Sequence, residues 1–291
     1  MKILVTGGSG QLGRELMDTC PSDYNFTSFS SSELDISDTS QVSRAVRELC
    51  PDVIINAAAY TAVDLAESDS ERAYAVNSKG AANIAGAAAG CGARLLHIST
   101  DFVFDGMKSS PYLPDDPPCP LNVYGKSKLS GENEVKTILK GRAVIIRTSW
   151  LYSCYGKNFV KTMLSLMRER DELRVVSDQA GTPTWAKGLA EAVWKTVSRP
   201  AITSILHWSD SGIASWYDFA CVIAQRAASL GLIDRLPQIV PVTASAFPTP
   251  ARRPSYSVLD TSASSEALGM IPPHWQENLH YMLEEYAKGT T

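Results

Sequence analysis

Tyr124 and Lys128 stand four positions apart, within the stretch from Leu121 to Lys128, and their residue types could do proton chemistry. Side chains at i and i+4 share one face of a helix, so this spacing predicts a phenol beside an ammonium group in a first helical turn. A nearby cation stabilises a phenolate. We therefore expect the pKa of Tyr124 to lie well below its usual value of about 10, which would make it a proton donor near neutral pH. The same spacing occurs on many solvated helices, so the pair indicates chemistry only if other elements bring a reactant to it.

A glycine-rich stretch near the N-terminus is typical of a phosphate-binding loop. It follows a short apolar strand, Lys2–Thr6, and precedes a helical stretch that ends near Cys20. Glycines permit a tight turn and close approach of the backbone to a pyrophosphate, and the helix N-terminus offers free N–H groups and a positive dipole end. A plain strand-to-helix turn is the alternative interpretation. The predicted cofactor-binding residues of this loop are Gly7, Gly10, Gln11, Leu12 and Gly13.

The second predicted strand, Asn25–Ser30, bears on the choice of cofactor. Dinucleotide folds often place Asp or Glu at the end of this strand to bind the adenosine ribose, whereas Ser30, Ser31 and Ser32 stand here. Without an acid here, a 2′-phosphate would meet no repulsion. This favours NADPH as the cofactor, with NADH as the alternative. Asp35 follows in a position near the adenine, with solvation of a loop as its alternative role.

Strands alternate with helices from residue 2 to about residue 148, which predicts an α/β fold with a Rossmann-like, doubly wound parallel sheet. Further strands are predicted at 53–59, 94–100 and 142–147, and His97 is expected to be a packed core residue. Either Ser37 or Asp38 is expected to cap the helix that ends at Leu49, and Ser215 a later helix. The carboxyl ends of parallel strands meet at one edge of such a sheet. The residues predicted to converge there with the Tyr124 helix are Ala57, Ala58, Ala59, Tyr60, Ser99, Thr100 and Asp101.

Composition limits the classes of partner and compartment. The 291 residues carry a net charge of −4, and 44% of them are hydrophobic. No Lys/Arg-rich run is present, so a nucleic acid or an anionic membrane is not expected as a partner. No apolar run approaches a membrane span, and the first apolar residues are too few for a signal peptide. Six scattered cysteines without a C-x-x-C pair predict reduced thiols in a cytoplasmic protein and no zinc site.

Several segments together resemble the extended short-chain dehydrogenase/reductases, and within them the family of dTDP-4-dehydrorhamnose reductases. The segments are T-G-G-S-G-Q-L-G, N-A-A-A-Y-T-A-V-D-L-A-E-S, S-T-D-F-V-F-D-G, N-V-Y-G-K-S-K, R-T-S-W-L-Y, D-Q-A-G-T-P-T and F-P-T-P-A-R-R-P-S. The likeness runs the length of the chain. One departure is Phe102, where the family commonly has tyrosine, and it puts one substrate hydrogen bond in doubt.

The resemblance implies NAD(P)H-dependent reduction of the C4 keto group of dTDP-4-dehydro-6-deoxy-L-mannose, which gives dTDP-L-rhamnose for bacterial cell-wall polysaccharide and lipopolysaccharide. It implies a catalytic triad of Thr100, Tyr124 and Lys128. Tyr124 would donate a proton to the developing alkoxide, and Lys128 would lower the Tyr124 pKa and bind the nicotinamide ribose. Thr100 would polarise the carbonyl oxygen.

The second half of the chain is expected to form a smaller, mainly helical substrate domain from discontinuous segments. We predict a dinucleotide domain of residues 1–148 with about 182–210, and a nucleotide-sugar domain of about 149–181 with 211–291. A sugar diphosphate needs cations, and the proline-flanked pair Arg252 and Arg253 supplies guanidinium groups. The resemblance adds further substrate contacts at Asp101, Phe102, Trp150 and Asn158.

Three questions stay open at this point. Some members of the family dimerise through magnesium bound by acidic residues; Glu15 and Glu191 occupy suitable positions, but no third carboxylate is evident near the C-terminus, so magnesium is unsupported. Either a monomer or a homodimer fits. The alternative functions are a non-catalytic cofactor-binding regulator, like the regulatory subunit of methionine adenosyltransferase, and a sister reductase or epimerase for another 4-keto-6-deoxy nucleotide sugar.

Overall fold

The computed structural model of the chain describes residues 1–290, with the side chain of residue 290 left aside. Its strands are β1 (Lys2–Thr6), β2 (Asn25–Phe29), β3 (Val53–Asn56), β4 (Arg94–Thr100), β5 (Ala143–Thr148), β6 (Leu151–Tyr152), β7 (Glu172–Val176), β8 (Ala180–Gly181), β9 (Thr184–Trp185), β10 (Ile205–His207), β11 (Ala214–Ser215) and β12 (Gln238–Val242). Its helices are α1 (Gln11–Asp18), α2 (Thr39–Leu49), α3 (Val63–Ala66), α4 (Ser70–Tyr74), α5 (Ala81–Cys91), α6 (Val123–Leu139), α7 (Phe159–Glu169), α8 (Ala186–Val197), α9 (Trp216–Ser229), α10 (Ser262–Leu268) and α11 (Trp275–Thr290). A π-helical turn, Ala75–Gly80, joins α4 to α5.

Six strands form the central sheet in the order β10-β5-β4-β3-β1-β2, and all its pairings are parallel. One face packs against α1 and α8, and the other packs against α2, α5 and α6. Both faces are therefore buried, which explains the nearly continuous apolar runs of β1 and β3. The predicted Rossmann-like, doubly wound parallel sheet is confirmed.

A second apolar core lies away from this sheet. Side chains of α7, α9 and α11 meet there around Phe219, Trp275 and Met282, all of them buried. Three two-stranded pairs border it, namely β6 with β9, β7 with β12, and β8 with β11. These pairs were not predicted. The strands of two pairs have only two residues each and leave no alternating pattern to detect, and the five-residue strands β7 and β12 lie far apart in the chain.

We propose that the two cores mark the two predicted domains. β10 returns to the sheet beside β5, in line with a segment of about 182–210 belonging to the first domain. The segments 149–181 and 211–290 contribute to the second core, and the predicted end of that domain, residue 291, lies outside the described residues.

No helix among residues 1–290 is both long and apolar enough to cross a membrane.

Helix ends that the sequence predicted agree with the structure in two places. Asp38, one of two candidates, caps α2 by accepting from the backbone N–H groups of Ser40 and Gln41. Ser215 caps α9, and Asp218 completes a reciprocal capping box with it. His97 is only 1% exposed, as expected of a core residue.

Candidate active site

A cleft of about 910 Å³ opens at the carboxyl edge of the sheet, and its size lies at the upper end for ligand sites. Residues after β1, β3, β4 and β5 line it together with the first turn of α6. Most predicted site residues lie on its wall: Gly7, Gly10, Gln11, Leu12, Gly13, Asp35, Ala57, Ala58, Ala59, Tyr60, Ser99, Thr100, Asp101, Phe102, Tyr124, Lys128, Trp150 and Arg253. Asn158 and Arg252 do not line it.

The glycine loop forms a cradle that side chains would fill. A Cβ atom on Gly13 would lie 2.3 Å from the Gly7 carbonyl oxygen, and one on Gly7, where φ is +76°, would lie 2.7 Å from the Ala58 nitrogen. Gly10 precedes α1, and no side chain caps that helix. The free N–H groups of its first turn therefore face the cleft, an arrangement that fits a pyrophosphate.

The end of β2 carries an acid that the sequence analysis missed. The Glu33 carboxylate accepts from the Ser30 backbone N–H at 2.8 Å and from the Ser30 hydroxyl at 2.6 Å. The turn after β2 thus folds Glu33 back onto Ser30, whereas Ser31 and Ser32, which stand where an acid is often placed, line the cleft. Asp35 lines the cleft and accepts hydrogen bonds from Ser37.

The first turn of α6 places Tyr124 and Lys128 as the spacing predicted. Asn122 caps the helix by accepting from the Gly125 N–H at 2.8 Å. A Cβ on Gly125 would lie only 2.2 Å from the Phe102 carbonyl oxygen, so glycine lets α6 approach the end of β4 closely. Tyr124 is 9% exposed and Lys128 2%, and the Lys128 ammonium donates to the Ile98 carbonyl at 2.7 Å.

Thr100 ends β4 beside the phenol. Its hydroxyl hydrogen-bonds Tyr124, donates to the Asp101 carboxylate at 3.0 Å and accepts from the Phe102 N–H at 3.2 Å. Because one hydroxyl has only one proton, donation to Asp101 and donation to the phenol are alternatives. The three predicted triad members are thus brought together at one wall of the cleft.

The prediction that the pKa of Tyr124 lies below its usual value is wrong when only the groups of the protein act on the phenol. Burial raises the pKa of Tyr124 to about 12; the hydrogen bond with Thr100 opposes the rise and the negative charge of Asp101 adds to it. Burial also lowers the pKa of Lys128 to about 8, against the attraction of Glu132. Desolvation outweighs the i, i+4 attraction because both side chains are enclosed. The phenol is therefore protonated at neutral pH, which is the form that a proton donor needs.

Asp101 and Phe102 line the cleft directly after the end of β4. Burial raises the pKa of Asp101 to about 6, and hydrogen bonds from Ser257 and Thr100 oppose the rise. The Phe102 ring meets the Tyr124 ring edge-on, with their centroids 5.7 Å apart. Phe102 therefore fixes the phenol by packing.

The two predicted arginines, Arg252 and Arg253, lie in different surroundings. Arg253 lines the cleft, and its two terminal nitrogens bind the Asp64 carboxylate at 2.9 and 2.7 Å. Arg252 is exposed, and only its backbone carbonyl is engaged, by the Asn122 side chain at 2.8 Å. Asp64 lies 189 positions away in the sequence, so no local pattern could have identified it.

Trp150 and Asn158, two of the predicted substrate contacts, are engaged by other side chains of the protein. The Trp150 ring stacks on Trp216 with centroids 3.5 Å apart while also lining the cleft. Asn158 caps α7 by accepting from the Lys161 N–H, and its amide donates to Gln11 at 2.9 Å. Asn158 thus supports the glycine loop through its contact with Gln11, and it does not itself line the cleft.

The candidate magnesium residues, Glu15 and Glu191, both interact electrostatically with Lys187. Glu15 is buried, burial raises its pKa, and it accepts from the Ser153 hydroxyl at 2.6 Å, whereas Glu191 is exposed. Lys187 lies between them in sequence and forms an ion pair with Glu285. Across the described part of the chain, no group of three or more His, Cys, Asp or Glu side chains is placed to hold a metal ion.

Comparisons with known proteins agree with this geometry. A family model described as the RmlD substrate binding domain matches residues 1–288. The dTDP-4-dehydrorhamnose reductase of Burkholderia thailandensis is 42% identical over 286 residues, which cover 95% of this chain and 96% of the relative. The spore coat polysaccharide biosynthesis protein SpsK of Bacillus subtilis is 43% identical, with 98% and 97% covered. The solved structure of the dTDP-4-dehydrorhamnose reductase of Bacillus anthracis in complex with NADP superposes with a TM-score of 0.92 at 38% identity, covering 98% of this chain and 99% of that one.

Proposed function

Because this chain belongs to the RmlD substrate-binding-domain family, we propose that it is a dTDP-4-dehydrorhamnose reductase. It would reduce the C4 keto group of dTDP-4-dehydro-6-deoxy-L-mannose with NAD(P)H and release dTDP-L-rhamnose. Two relatives with that name, from Burkholderia thailandensis and Escherichia coli, are 42% and 40% identical to this chain over at least 95% of either sequence.

The observation that carries the proposal is the continuity of one cleft from the glycine cradle to Tyr124. The cradle fits a pyrophosphate, and Ala57, Ala58 and Ala59 leave a flat wall between it and the α6 helix. A dinucleotide bound along this wall would end beside Tyr124 and Lys128, with space for a second ligand toward Arg253.

The cofactor supplies a hydride for the carbonyl carbon. Tyr124 holds a proton on its phenolic oxygen and donates it to the carbonyl oxygen, so that one hydride and one proton convert the ketone to an alcohol. Thr100 orients that oxygen by hydrogen bonding, and Lys128 offers its remaining N–H donors to the cofactor ribose. Phe102 and Trp150 exclude water from the reacting atoms.

Arg253 is the better of the two arginines for the sugar diphosphate. Asp64 holds its guanidinium in a fixed orientation on the cleft wall, while Arg252 lies outside the cleft. The Nε–H and the second Nη2–H of Arg253 remain for phosphate oxygens, and a guanidinium already held in place binds them with less loss of side-chain entropy than a free one. The substrate contacts proposed here are therefore Thr100, Asp101, Trp150 and Arg253.

For the cofactor we propose NADPH, with NADH also accepted. The hydroxyl groups of Ser31 and Ser32 at the cleft suit a 2′-phosphate, whereas the nearby Glu33 carboxylate suits a free ribose hydroxyl. These opposing groups favour dual use. We also propose a cytoplasmic location, since the six cysteines are all free, and a monomer or homodimer as the assembly.

The test is a rate measurement with purified protein, dTDP-4-dehydro-6-deoxy-L-mannose and each reduced nicotinamide, followed by the loss of nicotinamide absorbance and by identification of the sugar product. Stoichiometric formation of dTDP-L-rhamnose supports the proposal. Turnover of only another 4-keto-6-deoxy nucleotide sugar would assign a sister reductase. Cofactor binding with no oxidation by any such sugar would assign the non-catalytic regulator.

A further inference from the structure

The catalytic face of α6 extends one turn beyond Lys128, to a third ionisable side chain. Tyr124, Lys128 and Glu132 follow one another at intervals of four residues, and their side chains are 9%, 2% and 0% exposed. Residues at this spacing are neighbours, with about 5–6 Å between successive Cβ atoms. Glu132 thus lies directly behind the ammonium group, on the side away from the cleft.

The Glu132 carboxylate is fixed from two strands. The Ser99 hydroxyl, near the end of β4, donates to one oxygen at 2.6 Å. Arg147 in β5 donates from Nε to the same oxygen at 2.9 Å and from Nη2 to the other at 2.8 Å. Lys136, one turn further along α6, also forms an ion pair with this carboxylate at 3.6 Å. Burial alone would raise the pKa of Glu132, but Arg147, Ser99 and Lys136 outweigh it and hold the pKa below its usual value. A buried, ionised carboxylate therefore stands behind Lys128.

The other ionisable groups around Lys128 do not provide this negative charge. His97 in β4 is kept neutral, because burial and then the Lys128 charge lower its pKa well below the usual value. Arg147 in β5 is a cation, and Tyr124 on α6 itself is a protonated phenol. Asp101, after β4, acts on Tyr124, and burial raises its pKa to about 6.

We propose that Glu132 is a positioning residue for the reduction, which holds the positive charge on Lys128 while the ammonium faces the cleft. This inference rests on the proposed function. Lys128 donates to the Ile98 carbonyl and makes no bidentate contact with a carboxylate of its own, so burial pushes it toward the neutral amine. Glu132 opposes that loss of charge from a distance, which leaves the remaining N–H donors of Lys128 free for the ribose.

The first test replaces the carboxylate with an amide of the same shape, Glu132→Gln. If Glu132 holds the Lys128 charge, the alkaline limb of the kcat/KM profile moves to lower pH by about one unit, while activity on the acidic side stays near that of the unmodified enzyme. Glu134→Gln is the matched control, since Glu134 lies on the same helix but is exposed. An unmoved alkaline limb in Glu132→Gln would show that Glu132 only stabilises the fold, and would overturn the inference.

A second variant covers the case in which Glu132→Gln does not fold, because it leaves Arg147 buried without a carboxylate. The pair Glu132→Leu with Arg147→Met removes both charges and keeps the interior packed. Its alkaline limb should move in the same direction, by a smaller amount because one repulsive cation is also lost. An unchanged profile in this double variant also contradicts the inference.

A direct measurement separates this inference from the proposed function. In protein with isotopically labelled lysine, NMR can follow the titration of Lys128 in the absence of cofactor and substrate, and Lys128→Arg assigns the signal. The midpoint should fall in Glu132→Gln and stay in place in Glu134→Gln. This readout decides the role of Glu132 even if the chain reduces no sugar at all, and an unshifted midpoint rejects it.

Discussion

At the scale of single residues, enclosure has more influence on the reactive pair than the charge of its neighbour. Tyr124 and Lys128 share a helix face, yet burial moves their pKa values apart, to about 12 and about 8. The i, i+4 spacing revealed which groups meet but not how much water they lose. A phenol that keeps its proton through the neutral range and an ammonium near its own titration point suit the donation of a proton to a ketone.

The phenol can be tested by removing its hydroxyl in Tyr124→Phe. We expect kcat to fall by about 10²–10⁴-fold, the range that general acids contribute, because the ring still packs against Phe102 but has no proton to give. Cofactor affinity, measured by quenching of tryptophan fluorescence, should hardly change. Tyr281→Phe, at an exposed site on α11, is the control. Normal turnover by Tyr124→Phe would assign the proton donor elsewhere.

The glycine cradle makes a separate prediction at Gly13. An alanine Cβ there would lie 2.3 Å from the Gly7 carbonyl oxygen and 2.6 Å from the Gly8 Cα, so the loop must shift. Such overpacking costs about 1–3 kcal/mol, and if the strain must be relieved for binding, this corresponds to roughly a 5- to 150-fold loss of affinity for a reduced nicotinamide dinucleotide in Gly13→Ala. Gly86→Ala on α5 is matched, since its Cβ would meet nothing within 4 Å. Equal binding by the two variants would contradict a phosphate cradle in this loop.

At the scale of elements, the sequence predicted what is local and missed what is not. The strand bounds of the sheet and the Ser215 cap follow from short patterns, and they agree with the structure. The fork between Arg253 and Asp64 could not be predicted, because it joins segments far apart in the chain. Glu132 could have been found by continuing the four-residue interval past Lys128.

The side chain of Arg94 joins β4 to the end of α8 by hydrogen bonds. It lies at the start of β4, and its guanidinium donates to carbonyls at and beyond the end of α8, on Thr196 at 2.8 Å, Arg199 at 3.1 Å and Ile202 at 2.7 Å. The Thr196 and Arg199 carbonyls also accept backbone N–H groups at 3.1 Å, whereas the guanidinium is the partner of the Ile202 carbonyl. Arg94→Met should therefore remove three hydrogen bonds and leave the Ile202 carbonyl without this donor.

We expect Arg94→Met to lower the free energy of unfolding by at least about 2 kcal/mol, measured by chemical denaturation. Arg44→Met, at an exposed position of α2, should change it little. Equal stability of the two variants would mean that water replaces the guanidinium at the end of α8.

At the scale of the whole molecule, the cleft lies between the sheet and the second core, and buried polar groups join the two. Asp210 lies three residues after β10. Its carboxyl group accepts a hydrogen bond at 3.2 Å from the backbone N–H of Trp185, the residue before α8. Asn278 of α11 lies beside the same carboxyl group. The sequence predicted discontinuous segments from the loss of alternation after Arg147, but it could not predict which polar groups the junction encloses, since that depends on how the segments pack.

This junction should make stability depend on pH. Burial raises the pKa of Asp210 to about 8, against the hydrogen bond from the Trp185 N–H and the nearby Asn278 amide, whereas an unfolded aspartate titrates near about 3.9. Between these values the unfolded chain has lost the proton and the folded one retains it, so the contribution of Asp210 is fully present below about pH 4 and declines as the pH rises toward about 8. The decline approaches about 1.4 kcal/mol per pH unit.

Asp210→Asn removes that titration while keeping the shape of the side chain. Its free energy of unfolding relative to the unmodified protein should therefore increase steadily from about pH 5 to about pH 8 and level off above, as measured by denaturation across that range. Asp234→Asn, at an exposed site, should give a flat difference. A flat difference for Asp210→Asn as well would mean that the carboxyl group is ionised in the folded protein, and that water reaches the junction between the two cores.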